Sequence, residues 1–347
     1  MNERGFVAVA RWFTALKRDP FAFQRETWEA YLAGKSGLVQ THTGSGKTLA
    51  AALGPMVEAM QNAECRTQSA ERKPGAKKRP VLSAFPLTIL WITPLRALAS
   101  DTVESLTRAV EGLQLPWSIE LRTSDTSATT RKRQKERLPT ILVTTPESLS
   151  LLLSYPDSSK RFDSLRCVVV DEWHELMGSK RGVQTELGLA RLRFLRPNLR
   201  IWGLSATIGN SDEALATLLG ASLAKEAVLI RAPDRKAIEL QSLLPEKVER
   251  FPWAGHLGLR MLDAVAKQIE QAGSTLLFTN TRSQSELWFR ALLGARPDWL
   301  GKIAVLMGRS TASCGRAWSR CFAKGKCARW SARRASIWAW ISGRSIK

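Results

Sequence analysis

Two rhythms of apolar and polar positions divide this chain of 347 residues. Short apolar runs recur at 36–40, 87–92, 140–143, 166–170, 200–204 and 275–279, with a shorter strand expected at Ile119-Glu-Leu-Arg122, all bounded by polar turns. Runs of this length, rich in Val, Ile and Leu, predict buried strands. Between them the apolar residues fall at helical spacing. Residues 6–18 carry Phe6, Val7, Val9, Ala10, Phe13 and Leu16 on one face, and helices are also expected after Leu49, over 257–271 and over 283–293. Strand, polar turn, helix, strand is the rhythm of a doubly wound parallel α/β sheet. Binding residues of such sheets gather outside the carboxyl ends of the strands. The turns bearing Arg96 and Thr145 are therefore candidates for holding a ligand, although each turn alone would be a helix cap.

Punctuation along the pattern sets the boundaries. Ala232-Pro-Asp234 closes a first lobe over 1–232, and 233–306 read as a linker and the start of a second, incomplete one. Within the first lobe, 61–80 are polar and end with Arg72, Lys73, Pro74, Gly75, Lys77, Lys78 and Arg79, which predicts a basic surface insertion. The last segment, 307–347, departs from everything before it. It holds ten Lys or Arg, no Asp or Glu, four Trp and three Cys. It is expected to be disordered.

Charge changes the picture more than composition does. A formal net charge of +21 favours a polyanionic partner, of which nucleic acid is the usual one, over a merely well-solvated surface. No apolar run is long enough to span a membrane. The start lacks the pattern of a signal peptide, and five cysteines without paired spacing read as reduced thiols, so a cytoplasmic protein is expected. Three scattered histidines exclude a histidine metal cluster.

The chemistry begins at Thr41-His-Thr-Gly-Ser-Gly-Lys-Thr48, between an expected strand and an expected helix. This is a phosphate-binding P-loop, with Thr41 where the strict pattern has glycine. Thr43, Gly44, Ser45 and Gly46 would bring backbone N–H groups to phosphate oxygens. Lys47 would reach the β- and γ-phosphates, and Thr48 would offer its hydroxyl to Mg²⁺. Upstream, Gln24 carries an amide that can match an adenine edge as donor and acceptor. Downstream, the run 166–170 delivers Asp171 and Glu172 at its end, the arrangement in which one carboxylate holds Mg²⁺ and the next activates a water. His174 follows at a spacing suited to contact Ser205 or Thr207 at a neighbouring strand end.

These pieces, with Thr93-Pro-Leu-Arg96 and Thr145-Pro-Glu147, come in the order and spacing of superfamily 2 helicases of the DEXH type. The chain closely resembles the large-helicase-related family, especially its DNA-ligase-associated, DNA-damage-response branch, over residues 6 to about 306. The resemblance implies two tandem RecA-like lobes and a motor that uses ATP and Mg²⁺ on single-stranded or partly duplex DNA. It implies 3′-to-5′ movement, a place in DNA repair, and companions such as a DNA ligase; RNA or an RNA–DNA hybrid is an alternative strand. His174, Ser205 and Thr207 would couple hydrolysis to movement. Pro94, Arg96, Thr145, Pro146 and Glu147 would lie along the strand, as would Asn280, Thr281 and Arg282 in the second lobe. The family's next motifs do not appear after about Val305. Back-translated with free third bases and read one base out of register, the tail yields both a His-Gly-Ser turn and a Thr-Ser-Ser-Leu-Asp-Leu-Gly-Val-Asp motif. The invariant codon of Trp330 and Trp338 fits this register. The tail is thus expected to be an out-of-frame translation, rather than a basic strand-binding arm or a membrane segment. The chain would then bind Mg²⁺–ATP, show weak or absent strand-stimulated hydrolysis, and unwind nothing; the alternative is a nucleotide- or nucleic-acid-binding fragment without motor activity.

Overall fold

The computed structural model describes residues 4–42, 44–71, 86–94, 96–206, 208–232, 239–244, 257–272, 274–306 and 336–341. The chain divides into two compact units, Met1–Lys236 and Ala237–Lys347.

The first unit opens with helices α1 (Arg4–Ala15) and α2 (Ala22–Leu32), then strand β1 (Gly37–Gln40) and helix α3 (Lys47–Glu71). Next come β2 (Ile89–Ile92), α4 (Arg96–Gly112), β3 (Ile119–Arg122), α5 (Ala128–Glu136), β4 (Ile141–Thr144) and α6 (Pro146–Leu153). A short α7 (Ser158–Arg161) leads to β5 (Cys167–Val170), α8 (Trp173–Leu176) and α9 (Lys180–Leu195). The unit closes with β6 (Arg200–Ser205), α10 (Ser211–Leu219), α11 (Ala221–Ala224) and β7 (Val228–Arg231).

All seven strands run parallel in the order β3-β4-β2-β5-β6-β1-β7. Alternate residues of each strand feed opposite faces, as the pleat requires. Val39, Trp91, Val143, Val169 and Trp202 pack with Phe13, Trp28, Leu53 and Met56 from α1–α3. Leu38, Ile92, Leu142, Val170 and Ile201 pack with Leu149, Trp173, Leu192 and Leu218 from α6 and α8–α10. Both faces are covered, which is why the central strands read as unbroken apolar runs rather than as alternation.

Two expectations are corrected here. Residues 61–71 continue α3 instead of forming a surface loop; good helix formers fill them, and the first breakers are Pro74 and Gly75. The remainder of the expected insertion, 72–80, lies outside the described residues.

The second unit holds two short 3₁₀ turns (Leu257–Met261 and Pro297–Trp299), helices α12 (Leu262–Gln271) and α13 (Arg282–Ala295), and strands β8 (Ser274–Thr279), β9 (Ile303–Leu306) and β10 (Ser336–Ile341). Ala266, Ile269, Trp288, Leu292, Trp299 and Ile303 form its small core. The sheet order is β8-β10-β9, with β10 antiparallel to both neighbours. The second correction lies there: residues 336–341 of the tail form a paired strand and are not disordered. The rest of 307–347 lies outside the described residues. Among the described residues no helix is long and apolar enough to cross a membrane.

Candidate active site

β1 ends at Gln40 and the chain turns through the glycine loop into α3. Gly44 and Gly46 have φ of 82° and 91°, a region that side chains rarely enter. α2 holds the loop from one side. Gln24 donates from Nε2 to the Gly46 carbonyl (3.0 Å) and accepts on Oε1 from the Phe21 N–H (2.9 Å). Trp28 donates from its indole to the Leu49 carbonyl in the first turn of α3 (3.0 Å). The Gln24 amide keeps one N–H and one lone pair beyond these bonds, enough for a base edge.

Beside the loop, β5 delivers Asp171 and Glu172. Lys47 Nζ, itself buried, lies 3.3 and 3.4 Å from the two Glu172 oxygens. Glu172 has φ 46°, left-handed for a residue with a side chain, at a cost of about 1–2 kcal/mol. That bend turns the chain from β5 into α8. Asp171 is held from two directions: Trp91 Nε1 donates to Oδ2 (3.3 Å), and the Glu172 N–H donates to Oδ1 (3.0 Å). Burial first, and then the neighbouring Glu172 charge, push the Asp171 carboxyl up to about 6, against the pull of Lys47.

The line continues to the next strand end. The Ala206 N–H points at His174 Nδ1 (3.3 Å), and the Ser205 hydroxyl lies 3.1 Å from the same nitrogen, with the imidazole tautomer setting which of the two donates. Glu172 Oε2 lies 3.5 Å from the same nitrogen. Lys47, Glu172, His174 and Ser205 thus form one contact line across β1, β5 and β6. Gly44, Gly46, Lys47, Thr48, Asp171 and Glu172 line a cleft of about 730 Å³.

The donor set suits Mg²⁺. Thr48 and Asp171 line that cleft with oxygen donors, and the buried Ser45 hydroxyl of the glycine loop has no hydrogen-bond partner. Asp171 also makes the site pH-sensitive. Its folded value lies above the ordinary 3.8, so the folded chain holds a proton that the unfolded chain releases. This residue therefore lowers stability as pH rises from about 4 to about 6, and the loss is complete above that window. Denaturation of Asp171→Asn against the parent is expected to show a gap that grows through that window by about 1–3 kcal/mol. A gap flat with pH would count against it.

A second cluster lies after β2 and β4. Thr145 stands at the N-cap position of α6 with its hydroxyl donating to Ser148 Oγ (3.4 Å), Pro146 is the first residue of the helix, and both are buried. Glu147 receives a two-pronged contact from Arg181 (Nε–Oε1 2.5 Å, Nη2–Oε2 3.1 Å), and Arg181 also donates to the Pro94 carbonyl. Partial burial works to raise the Glu147 carboxyl, yet the Arg181 hydrogen bond holds it below its ordinary value. Sequence patterns singled out neither Arg181 nor Trp91. In the second unit the Thr281 hydroxyl caps α13, and the exposed Asn280 donates its N–H to Gln284. Thr43 and Thr207 lie outside the described residues, as do the side chains of Arg96 and Arg282, which open α4 and α13. Among the described residues no group of three or more His, Cys, Asp or Glu could hold a metal.

Comparison with known proteins identifies the family. Residues 21–215 match the model of the DEAD/DEAH box helicase family. The chain is 32% identical over 288 residues to an ATP-dependent helicase Lhr-Core of Methanocaldococcus jannaschii, covering 80% of this chain and 32% of that protein. It is 30% identical over 252 residues to the Lhr helicase/uracil glycosylase of Escherichia coli, covering 69% and 15%. Among solved structures, Mycobacterium smegmatis helicase Lhr bound to ssDNA and AMP-PNP superposes with a TM-score of 0.63 at 26% identity, over 84% of this chain and 36% of that one. The DUF1998 helicase MrfA bound to DNA shares the fold at 18% identity, with a TM-score of 0.68 over 94% and 43%. The chain spans about a third or less of the length of these curated relatives.

Proposed function

The chain belongs to the DEAD/DEAH box helicase family, with Lhr-type ATP-dependent helicases among its relatives, and from that premise we propose that it binds Mg²⁺–ATP at the 41–48 loop and couples hydrolysis to movement along single-stranded DNA. The direction is 3′ to 5′ and the setting is DNA repair, with proteins such as a DNA ligase as companions. The order of the sequence motifs supports both. The observation that carries the coupling is the contact line from Lys47 through Glu172 and His174 to Ser205.

That line has a chemical logic. Lys47 pairs with Glu172 across the cleft. Phosphate oxygens compete for Lys47 and free Glu172 to orient water and take its proton. Gln24 reads the base, while Gly44, Ser45 and Gly46 with the start of α3 receive the phosphates. Thr48 and Asp171 would hold Mg²⁺, which when bound neutralises phosphate charge. His174 passes the state of Glu172 to Ser205, at the end of the strand beside β1.

The test is ATP turnover by the full chain with and without an oligodeoxythymidine strand. We expect strand-stimulated turnover, slow in this chain, that Lys47→Ala lowers about 10²–10³-fold. Turnover indifferent to the strand would overturn the motor reading. Salt-sensitive strand binding that ignores ATP would favour a protein that only binds.

A further inference from the structure

We infer that Arg181 is a positioning residue, a clasp that locks the turns after β2 and β4 into one rigid platform and removes the charge of Glu147 from the strand-facing surface. The strand-facing part rests on the reading proposed above; the clasp itself does not. Arg181 lies in the first turn of α9, just after α8, which carries His174. Its planar guanidinium spends two nitrogens on Glu147 and the third on the Pro94 carbonyl, so one side chain joins three segments far apart in the chain. α9 cannot easily slide away. A Cβ at Gly182 would sit 2.1 Å from the Leu176 carbonyl oxygen, so the start of α9 is seated directly on the end of α8.

The charge argument is independent of the mechanics. A free carboxylate beside the start of α6 would repel a phosphate backbone where the helix N-terminus attracts it. With Arg181 in place the pair is neutral, although the Glu147 side chain stays half exposed, and the carboxylate holds the turn through Arg181. This assigns Glu147 a structural part rather than a direct grip. Lysine would not replace Arg181, because an ammonium cannot make two parallel bonds and a third to a carbonyl in one plane.

The experiment uses the full chain with Arg181→Gln, Arg181→Lys, Glu147→Gln and the double Arg181→Gln/Glu147→Gln. Hydrogen exchange without nucleic acid tests the clasp: amides of 144–149 and 93–97 are expected to exchange faster in Arg181→Gln and Arg181→Lys, with fluorescent-nucleotide affinity unchanged. Unchanged exchange overturns the clasp. Titration with a labelled oligodeoxythymidine tests the charge. Arg181→Gln is expected to weaken binding roughly three- to tenfold. In strand-stimulated turnover the same variant should raise the strand concentration for half-maximal rate and leave the maximal rate alone. The double variant should bind better than Arg181→Gln, because no orphan carboxylate remains. A double variant as weak as the single overturns the charge role and reduces Arg181 to packing. Faster exchange in a chain whose parent ignores the oligonucleotide leaves the clasp standing and removes the proposed function instead.

Discussion

Glu172→Gln is expected to slow ATP hydrolysis by about 10²–10⁴-fold while nucleotide still binds. The amide has the shape of the carboxylate and keeps an oxygen for Lys47, now 3.3 Å from Glu172 Oε1, so the cleft should keep its form. What it loses is the ability to take a proton. It also loses a negative charge that pushes Asp171 up, so Asp171 ionises more readily in the variant and the Mg²⁺ requirement should not rise. Single-turnover phosphate release and titration of a fluorescent nucleotide separate the two effects. A hydrolysis rate within about threefold of the parent would assign proton abstraction to another group.

Trp91→Ala should be the most destabilising single change near the site, by about 3–5 kcal/mol. Trp91 is fully buried on β2, paired in register with Val143 of β4 and Val169 of β5. Truncation empties the middle of the sheet and strips Asp171 of one of its two hydrogen bonds. Trp91→Phe separates these losses. It keeps most of the volume but no N–H, so stability should fall less, while the Asp171 carboxylate, less well held, should need more Mg²⁺ for half-maximal nucleotide binding. Urea midpoints read the first effect and Mg²⁺ titration the second. An unchanged Mg²⁺ requirement in Trp91→Phe would show that the indole only fills space.

Much of the fold was legible because a sheet covered on both faces makes each strand an apolar run with sharp ends. Five of the seven strands of the first unit announce themselves that way; β3, at one edge, alternates as Ile119-Glu-Leu-Arg122 instead. β7 does not announce itself either: Val228–Arg231 is a short edge strand, half exposed, running into Ala232-Pro233. The glycine loop and Asp171–His174 were legible because their chemistry is local in sequence. Trp91 and Arg181 were not, because their partners are remote: Asp171 is 80 residues from Trp91, and Glu147 and Pro94 are 34 and 87 from Arg181. An indole inside an apolar strand reads as core, and an arginine at a helix start reads as solvated. Only the parallel crossovers bring these residues to their carboxylates. The turn at 61–71 failed for the opposite reason, since polar composition was taken for a loop where helix formers simply ran on.

The position of β1 in the sheet has a consequence for the order in which the protein can come into being. β1 pairs with β6 on one side and β7 on the other, Gly37 standing opposite Trp202 and Val228. Residues 37–48 leave the ribosome before either neighbour of that strand: β6 is complete only at Ser205, and β7 only at Arg231. The glycine loop is therefore synthesised before the strands that flank it and acquires its shape only after them. Pairings this distant in sequence are slow to close. A nascent chain arrested before residue 200 should retain no ATP, and one arrested past residue 231 should retain it, so nucleotide capture would report completion of the first unit.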